Sequence, residues 1–279
     1  MNTVYEKVTQ RIIEQLQEGV VPWRKPWKGQ SAANWITQKP YRGINRLLLD
    51  GGEYISFKQC SEHNGKVKKG AKSNFIVFWK WYEKEIDKDG EITVEKLPVL
   101  RYYNVFHIDD CEGIESRVKW SENNVRNASI DEVIHDYINS QNISLKTVTG
   151  SNKAYYRPSD DSVLLPDIKQ FKDTSSYYSV VLHELIHSTG NKARLDRIRS
   201  TAFASEEYSI EELVAEIGSS MLMSELGIEQ PDTFENSVSY INSWIEVLQS
   251  DSRMIITAAS RAEKAVEMIL GKGVYEDAE

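Results

Sequence analysis

The sequence predicts an α+β protein of two domains: an N-terminal α+β domain over residues 1–125 and a mostly helical C-terminal domain over residues 126–279. Its 279 residues exceed the length of a typical single domain. Aromatic runs with strand character lie in the first part, whereas helical periodicities dominate after residue 129. The charge also changes sign, because residues 1–82 carry 14 Lys+Arg against 6 Asp+Glu and the remainder carries 20 against 36.

Composition narrows the class of protein. A hydrophobic content of 40% and a charged content of 27% are typical of a soluble globular protein. No apolar stretch approaches the roughly 20 residues needed to cross a bilayer, and the N-terminus lacks the basic and apolar regions of a signal peptide. The two cysteines, Cys60 and Cys111, provide neither a disulfide framework nor a CxxC metal knuckle. We therefore expect a cytoplasmic protein with no membrane partner.

The chain is predicted to begin with a helix. Thr3 and Glu6 form a capping box, and the helix ends near Gly19. Apolar residues recur along it at i+4 spacing: Val4, Val8, Ile12 and Leu16. The proline-rich residues 21–27 are expected to be extended, and Ser56 begins a short helix.

A β-hairpin is predicted next. Residues 75–82 form an aromatic-rich strand, and residues 99–108 form the return strand. The charged residues 83–96 between them contain an Asp89-Gly90 turn, so we expect a hairpin loop there. The polar residues 109–128 are expected to link the two domains.

Helices dominate the C-terminal part. A helix is predicted over residues 129–141, followed by short strands at 155–156 and 163–166. The next helix has Asp173, Thr174 or Ser175 as its N-cap and ends at Gly190. Three more helices follow, at about 209–226, 234–248 and 252–270.

The strongest chemical signal is an HExxH motif. His183 and His187 are spaced i and i+4, so they share one face of a helix and can bind one metal ion. Glu184 occupies the position from which a general base acts on the water that such a metal activates. The alternative is an ordinary amphipathic helix with two structural histidines. The apolar spacing of the neighbouring residues favours the metal site.

The third metal ligand must be a carboxylate if it lies downstream, because no histidine follows His187. Glu211, Glu212 and Glu216 are the candidates. We predict a His2Glu site in which Glu212 binds the metal and Glu216, on the same helix face, supports a histidine or replaces Glu212 as ligand. A competing role for Glu212 is a capping box with Ser209. Three tyrosines are plausible oxyanion donors, none of them assigned: Tyr156, Tyr178 and Tyr208.

The first 82 residues have the composition of a single-stranded-DNA-binding surface. Five of the seven tryptophans lie there among the excess cations, and such surfaces stack bases on aromatic rings while cations contact phosphates. The residues that we expect to contact DNA on this basis are Trp23, Arg24, Lys25, Trp27, Lys68, Lys69 and Lys72. Alternatively, Lys68 to Lys72 form an ordinary solvated turn.

Along nearly its whole length the chain resembles the ArdC-type antirestriction proteins of plasmids and other mobile elements. The first-half resemblance is carried by residues 4–13, 22–27, 41–45, 67–70 and 103–106. The second-half resemblance is carried by residues 177–178, 183–187, 189–190, 194–197, 211–216 and 258–259. Ser188 and residues 107–110 depart from the family pattern, but neither departure removes a ligand.

The resemblance implies a single-stranded-DNA-binding domain, to which Arg42 and Asn45 contribute, followed by a zincin-like metallopeptidase domain. It implies Zn²⁺, with Mn²⁺ or Co²⁺ as alternatives, bound by His183, His187 and Glu212, with Glu184 as the base. The function implied is protection of incoming DNA from host restriction.

Two alternatives to that function stay open. One is a protease that cleaves DNA-bound proteins, such as subunits of a restriction system. The other is a DNA-coating protein whose metal is structural.

Overall fold

The structure is a computed structural model that describes residues 3–23, 32–88, 91–117, 130–148, 153–198, 206–229 and 238–272. It divides into two compact units, one of residues 1–12 and 30–119 and the other of residues 13–29 and 120–279. The predicted two-domain α+β class is confirmed. The units are not continuous in sequence, however, because residues 13–29 belong to the second. A boundary near residue 125 falls outside the described residues.

The first unit is built on a four-stranded sheet in the order β1-β2-β5-β4. Its strands are β1 (Ala33–Asn34), β2 (Glu53–Ile55), β4 (Asn74–Lys88) and β5 (Glu91–His107), and a separate pair joins β3 (Lys66–Val67) to β6 (Cys111–Glu112). The helices are α1 (Val4–Gln17), whose last residues belong to the second unit, α2 (Ile44–Leu48) and α3 (Phe57–Glu62). The predicted capping box of Thr3 and Glu6 is present, and α3 begins after Ser56, as predicted, with a capping box of its own.

Residues 83–96, predicted to be a loop, instead continue the two strands. Strands β4 and β5 stay paired from Asn74↔Val105 to Lys88↔Glu91. The ladder places Glu83 opposite Lys96 and Lys84 opposite Glu95, and opposite charges in facing positions stabilise a strand pair. The loop prediction was wrong because charged side chains leave backbone pairing intact when both sheet faces are solvated. The predicted Asp89-Gly90 turn lies outside the described residues.

The predicted linker over residues 109–128 is also wrong at its start, because residues up to 117 pack onto the first unit. The indole N–H of Trp35 donates to the carbonyl of Glu115 (2.8 Å), and the Arg117 guanidinium lies 3.8 Å from the Trp35 ring centroid. The buried carboxylate of Glu53 accepts hydrogen bonds from Ser116 Oγ (2.6 Å) and the Arg117 N–H (3.0 Å). These contacts satisfy a buried charge that would otherwise be destabilising.

Two apolar clusters form the core of the first unit. Buried residues of the first are Ala32, Leu49, Tyr54, Ile76 and Val105. Those of the second are Trp35, Ile55, Cys60, Ile108 and Cys111. Both cysteines are therefore core residues, and they are not joined by a disulfide.

Asn45, expected to contact DNA, instead holds α2 against the edge strand β4. Its side-chain amide donates to the carbonyl of Val77 and accepts from the Val77 N–H, both at 2.8 Å. Strand β4 is the last strand of its sheet, so these two bonds satisfy backbone groups that an edge strand leaves unpaired. Asn45 therefore has a structural role, and its contact with DNA stays a prediction.

The second unit combines a small sheet with five helices among its described residues. Its strands β7 (Ser144–Val148), β8 (Tyr155–Arg157) and β9 (Ser162–Pro166) lie in the order β7-β9-β8. The helices are α4 (Ile130–Gln141), α5 (Thr174–Thr189), α6 (Glu206–Glu225), α7 (Val238–Ser250) and α8 (Met254–Ile269). Within the described part of the chain, no helix has the length and apolar character to cross a membrane.

We predict that Asn45→Ala destabilises the protein by about 1–3 kcal/mol, because two partly buried backbone groups of Val77 lose their partner. The measurement is the midpoint of denaturant unfolding followed by fluorescence. Asn104→Ala is the matched control, since Asn104 lies exposed on β5 of the same unit and should change stability by less than about 0.5 kcal/mol. Equal effects of the two substitutions would contradict the structural role of Asn45.

Candidate metal centre

Helix α5 presents the HExxH motif from a fixed position. Asp173 is its N-cap and accepts a hydrogen bond from the Ser176 N–H at 2.7 Å. Its apolar face is fully buried, with Leu182, Leu185 and Ile186 at its centre. The helix is therefore anchored at its start and along one side, and the opposite side carries the two histidines.

Helix α6 approaches α5 closely because of a glycine. A Cβ atom at Gly218 would lie only 2.7 Å from Ile186 Cδ1. No larger residue fits there without a shift of Ile186 or of the helix. This contact places the N-terminal part of α6, with its glutamates, beside the histidines of α5.

His183, His187 and Glu212 converge as predicted. The histidine Nε2 atoms lie 3.1 Å apart, and they lie 3.7 Å and 3.6 Å from the two carboxylate oxygens of Glu212. Ligands bound tetrahedrally at about 2.1 Å from one metal ion are separated by about 3.4 Å. The three side chains thus fit a divalent cation in a His2Glu site and leave a further position for water or substrate.

The charges around the site favour a cation. Burial by itself lowers the pKa of His183, but the hydrogen bond with Glu212 and the charges of Glu216 and Glu184 raise it above its ordinary value. Burial raises the pKa of Glu212, and its contacts with His183 and His187 lower it by more. The centre therefore holds several carboxylates whose negative charge a metal ion would neutralise.

Glu211 supports a histidine by a direct contact. Its Oε1 lies 3.4 Å from His187 Nδ1, the ring nitrogen that faces away from the centre. Arg197 holds the same carboxylate with two hydrogen bonds, at 2.9 Å and 3.1 Å. Glu216 acts on His183 through its charge. Sequence reasoning missed the supporting pair because adjacent glutamates on α6 differ only in helix face, and no local pattern pointed to Arg197.

Glu184, the expected general base, is buried and held by a hydrogen bond. Its side chain is 7% exposed, and its Oε2 accepts a hydrogen bond from the Tyr156 N–H at 2.8 Å. Strand β8, which carries Tyr156, is at the edge of its sheet. The backbone of this edge strand therefore fixes one oxygen of the carboxylate.

The three tyrosines considered as oxyanion donors differ in the hydrogen-bond partners of their hydroxyl groups and in their distance from the metal centre. The Tyr156 hydroxyl donates to Asp161 and accepts from Asn191 (2.7 Å), and the Tyr178 hydroxyl donates to Asp131. Tyr208 is close to Glu212 and Glu184. Burial raises its pKa, and the charge and hydrogen bond of Glu212 add to that rise. Of the three, Tyr208 is the one positioned at the metal centre.

Trp23, one of the residues expected to contact DNA, is buried in the structure. Trp23 is 4% exposed. Its ring packs edge-on against Trp244, with 6.1 Å between centroids, and its carbonyl accepts a hydrogen bond from the Ser220 hydroxyl. Trp23 is thus a core residue of the second unit and cannot stack on a base in this conformation. Arg24, Lys25 and Trp27 lie outside the described residues.

The other cations that were expected to contact DNA lie in the first unit. Arg42 is partly buried, whereas Lys69 and Lys72 are exposed. Lys68 is exposed as well, and its Nζ donates to the carbonyl of Asp109 at 2.7 Å. Three of the predicted lysines are therefore accessible to a phosphate backbone.

Two family models match the chain. One, described as the N-terminal domain of the anti-restriction factor ArdC, matches residues 2–106. The other, described as a zincin-like metallopeptidase, matches residues 134–261.

Related proteins support both matches. The chain is 34% identical over 291 residues to a DNA primase TraC of Escherichia coli, and 32% identical to the uncharacterized protein y4eC of Sinorhizobium fredii, of which it covers 90%. It spans only 27% and 20% of the lengths of two such primases.

Solved structures match over nearly the whole length. A metal-free crystal structure of the antirestriction protein ArdC from plasmid R388 has a TM-score of 0.76 and 32% identity, covering 96% of this chain and 97% of that one. An Mn(II)-bound structure of the same protein has a TM-score of 0.74 and 30% identity, covering 99% and 100%. The likeness therefore extends through both units.

We predict that Glu211→Ala weakens zinc binding by about 10- to 100-fold, because His187 loses the partner that orients its ring. Affinity is measured by competition with a chromophoric chelator. Glu225→Ala is the control, since Glu225 lies on the same helix and pairs with Lys272 at 3.0 Å. Unchanged zinc affinity in the Glu211 variant would refute the supporting role.

Proposed function

The chain belongs to the ArdC family of antirestriction proteins, and on that basis we propose that it binds single-stranded DNA and protects incoming DNA from host restriction. The observation that carries this proposal is the match to ArdC through both units, with the three metal-binding side chains together in the second. Its site of action would be the cytoplasm, where DNA entering a cell meets restriction enzymes.

Single-stranded DNA is the proposed partner because of the charge and aromatic content of the first unit. The basic residues among the first 82 outnumber the acidic ones by 14 to 6. Exposed cations attract phosphates, and exposed rings stack on unpaired bases. The proposed phosphate contacts are Arg24, Lys25, Arg42, Lys68, Lys69 and Lys72, and Trp27 is a proposed stacking residue.

Zinc is the proposed metal, and manganese, present in one ArdC structure, and cobalt are alternatives. Two imidazoles and one carboxylate form a ligand set that suits zinc. When bound, the ion supplies the Lewis acidity that makes water nucleophilic at neutral pH. Glu212 is the proposed third ligand.

At the metal centre, Glu184 is proposed to accept a proton and Tyr208 to donate a hydrogen bond. The carboxylate of Glu184 is held by the Tyr156 N–H through one oxygen, which leaves the other oxygen able to accept a proton. The Tyr208 hydroxyl can donate to an oxyanion that develops beside Glu212. Any protein substrate would be one that DNA brings close, such as a DNA-bound subunit of a restriction system.

We predict that Glu212→Ala lowers zinc affinity by more than about 100-fold, which exceeds the usual loss for a supporting residue. Glu216→Ala should lower it by about tenfold or less. Metal content by mass spectrometry and a zinc titration measure both. The reverse ranking would make Glu216 the third ligand.

We predict that Glu184→Gln leaves zinc content, single-stranded-DNA binding and protection from restriction intact, because the glutamine oxygen can still accept from the Tyr156 N–H. Protection is measured as the survival of unmodified DNA in a restricting host. If protection disappears while zinc and DNA binding persist, hydrolysis is the operative mechanism. A His183→Ala variant shows in parallel what metal loss alone does.

A further inference from the structure

The two faces of the β4–β5 hairpin carry different sets of side chains. Residues paired in the ladder share a face, and the face alternates along each strand. One face, here called the basic face, carries Phe78, Lys80, Tyr82, Lys84, Glu95, Leu97, Val99, Arg101 and Tyr103. The opposite face carries Phe75, Val77, Trp79, Trp81, Glu83, Lys96, Pro98, Leu100, Tyr102 and Asn104.

Helix α1 packs against the part of the opposite face that carries Phe75, Trp79 and Tyr102. Tyr5 packs edge-on against Trp79, with 6.4 Å between centroids. The Lys7 ammonium lies 3.6 Å from the centroid of Tyr102 and 4.7 Å from that of Phe75. The helix covers these rings only in part, because Trp79, Tyr102 and Trp81 on that face are still 47%, 45% and 58% exposed.

The two faces of the hairpin differ in charge. Within residues 74–84 and 94–105, the basic face holds three cations, Lys80, Lys84 and Arg101, against Glu95. Over the same residues the opposite face holds one charge of each sign, Glu83 and Lys96. An excess of cations on one side of a sheet gives it a preference for an anionic polymer.

The rings of the basic face are accessible. Phe78, Tyr82 and Tyr103 are 39%, 36% and 41% exposed. Phe78 and Tyr103 form one aromatic pair, with 5.4 Å between centroids. Tyr82 lies four residues beyond Phe78 on the same strand, a distance of about 13 Å.

Cations lie between these rings. Lys80 separates Phe78 from Tyr82 along the strand, and its Nζ is 5.1 Å from the Tyr82 ring centroid. The Arg101 guanidinium is directly opposite Phe78 in the ladder, and it donates to the Tyr82 hydroxyl at 3.0 Å. Rings and cations thus alternate along the exposed part of this face, beyond the buried Ile76 and Val105.

We propose that the basic face is the surface on which single-stranded DNA lies, with bases stacked on Phe78, Tyr103 and Tyr82 and phosphates bound by Lys80 and Arg101. This inference rests on the proposed function and specifies which surface of the first unit binds the DNA. Interleaved rings and cations match a chain of alternating bases and phosphates. A duplex hides the faces of its bases and would gain only the charge contacts.

Two kinds of substitution test the proposal with different signatures. Phe78→Ala combined with Tyr103→Ala should weaken binding of a fluorescent oligothymidine by about tenfold or more and leave its salt dependence unchanged. Lys80→Ala and Arg101→Ala should each reduce the slope of log affinity against log salt concentration by about 0.7. Duplex DNA of the same length should bind more weakly to the unaltered protein.

The controls come from the opposite face. Trp81→Ala removes a ring that is 58% exposed, and Lys96→Ala removes a cation. Both should leave affinity and salt slope within about twofold of the unaltered protein's values.

A measurement on the unaltered protein avoids any folding defect. Oligonucleotides containing 5-bromouracil should crosslink to peptides that contain Phe78, Tyr82 or Tyr103 on irradiation. If the unaltered protein binds the oligonucleotide but crosslinks elsewhere, and the basic-face variants keep both affinity and slope, the basic face is not the binding surface. If the unaltered protein binds no single-stranded DNA at all, the proposed function itself fails.

Discussion

The close contact between α5 and α6 at Gly218 is the constraint on which the metal centre depends. Two histidines one turn apart on a single helix can supply two ligands, but the third must come from a neighbour at a fixed distance. Ile186 packs directly on Gly218, and Glu212 lies beside both histidines. A β-carbon at this position would require Ile186 or the helix to shift.

Arg194 fixes the strand that holds Glu184. Arg194 is almost fully buried and binds Asp161 through a bidentate ion pair, while its Nε donates to the carbonyl of Ser188 at 2.7 Å. It thereby connects the loop after α5 to the turn between β8 and β9. Strand β8 is held beside α5 as a result, and the Tyr156 N–H meets Glu184. A buried pair of this kind contributes geometric definition more than net stability.

Sequence reasoning succeeded where function is encoded by local spacing. The i, i+4 histidines follow from helical periodicity, and the structure brings Glu212 to them. It failed where the outcome depends on which helix face or sheet face meets a distant partner. Glu211 and Arg197 are separated by 14 positions and meet only after folding; Arg197 lies in a loop, so no helical or strand periodicity links the pair.

The same limit applies to the DNA-binding residues. Composition indicated correctly that the first 82 residues are rich in tryptophan and cations, but composition counts side chains without regard to burial. Trp23 is buried in the core of the second unit, and Asn45 binds the edge of β4. Among the described residues, several exposed rings lie on the long hairpin, where charged residues at the outer end of the ladder suggested a loop. Strand pairing through that charged segment keeps alternate residues on one face, and this regularity turns scattered rings and cations into a continuous surface.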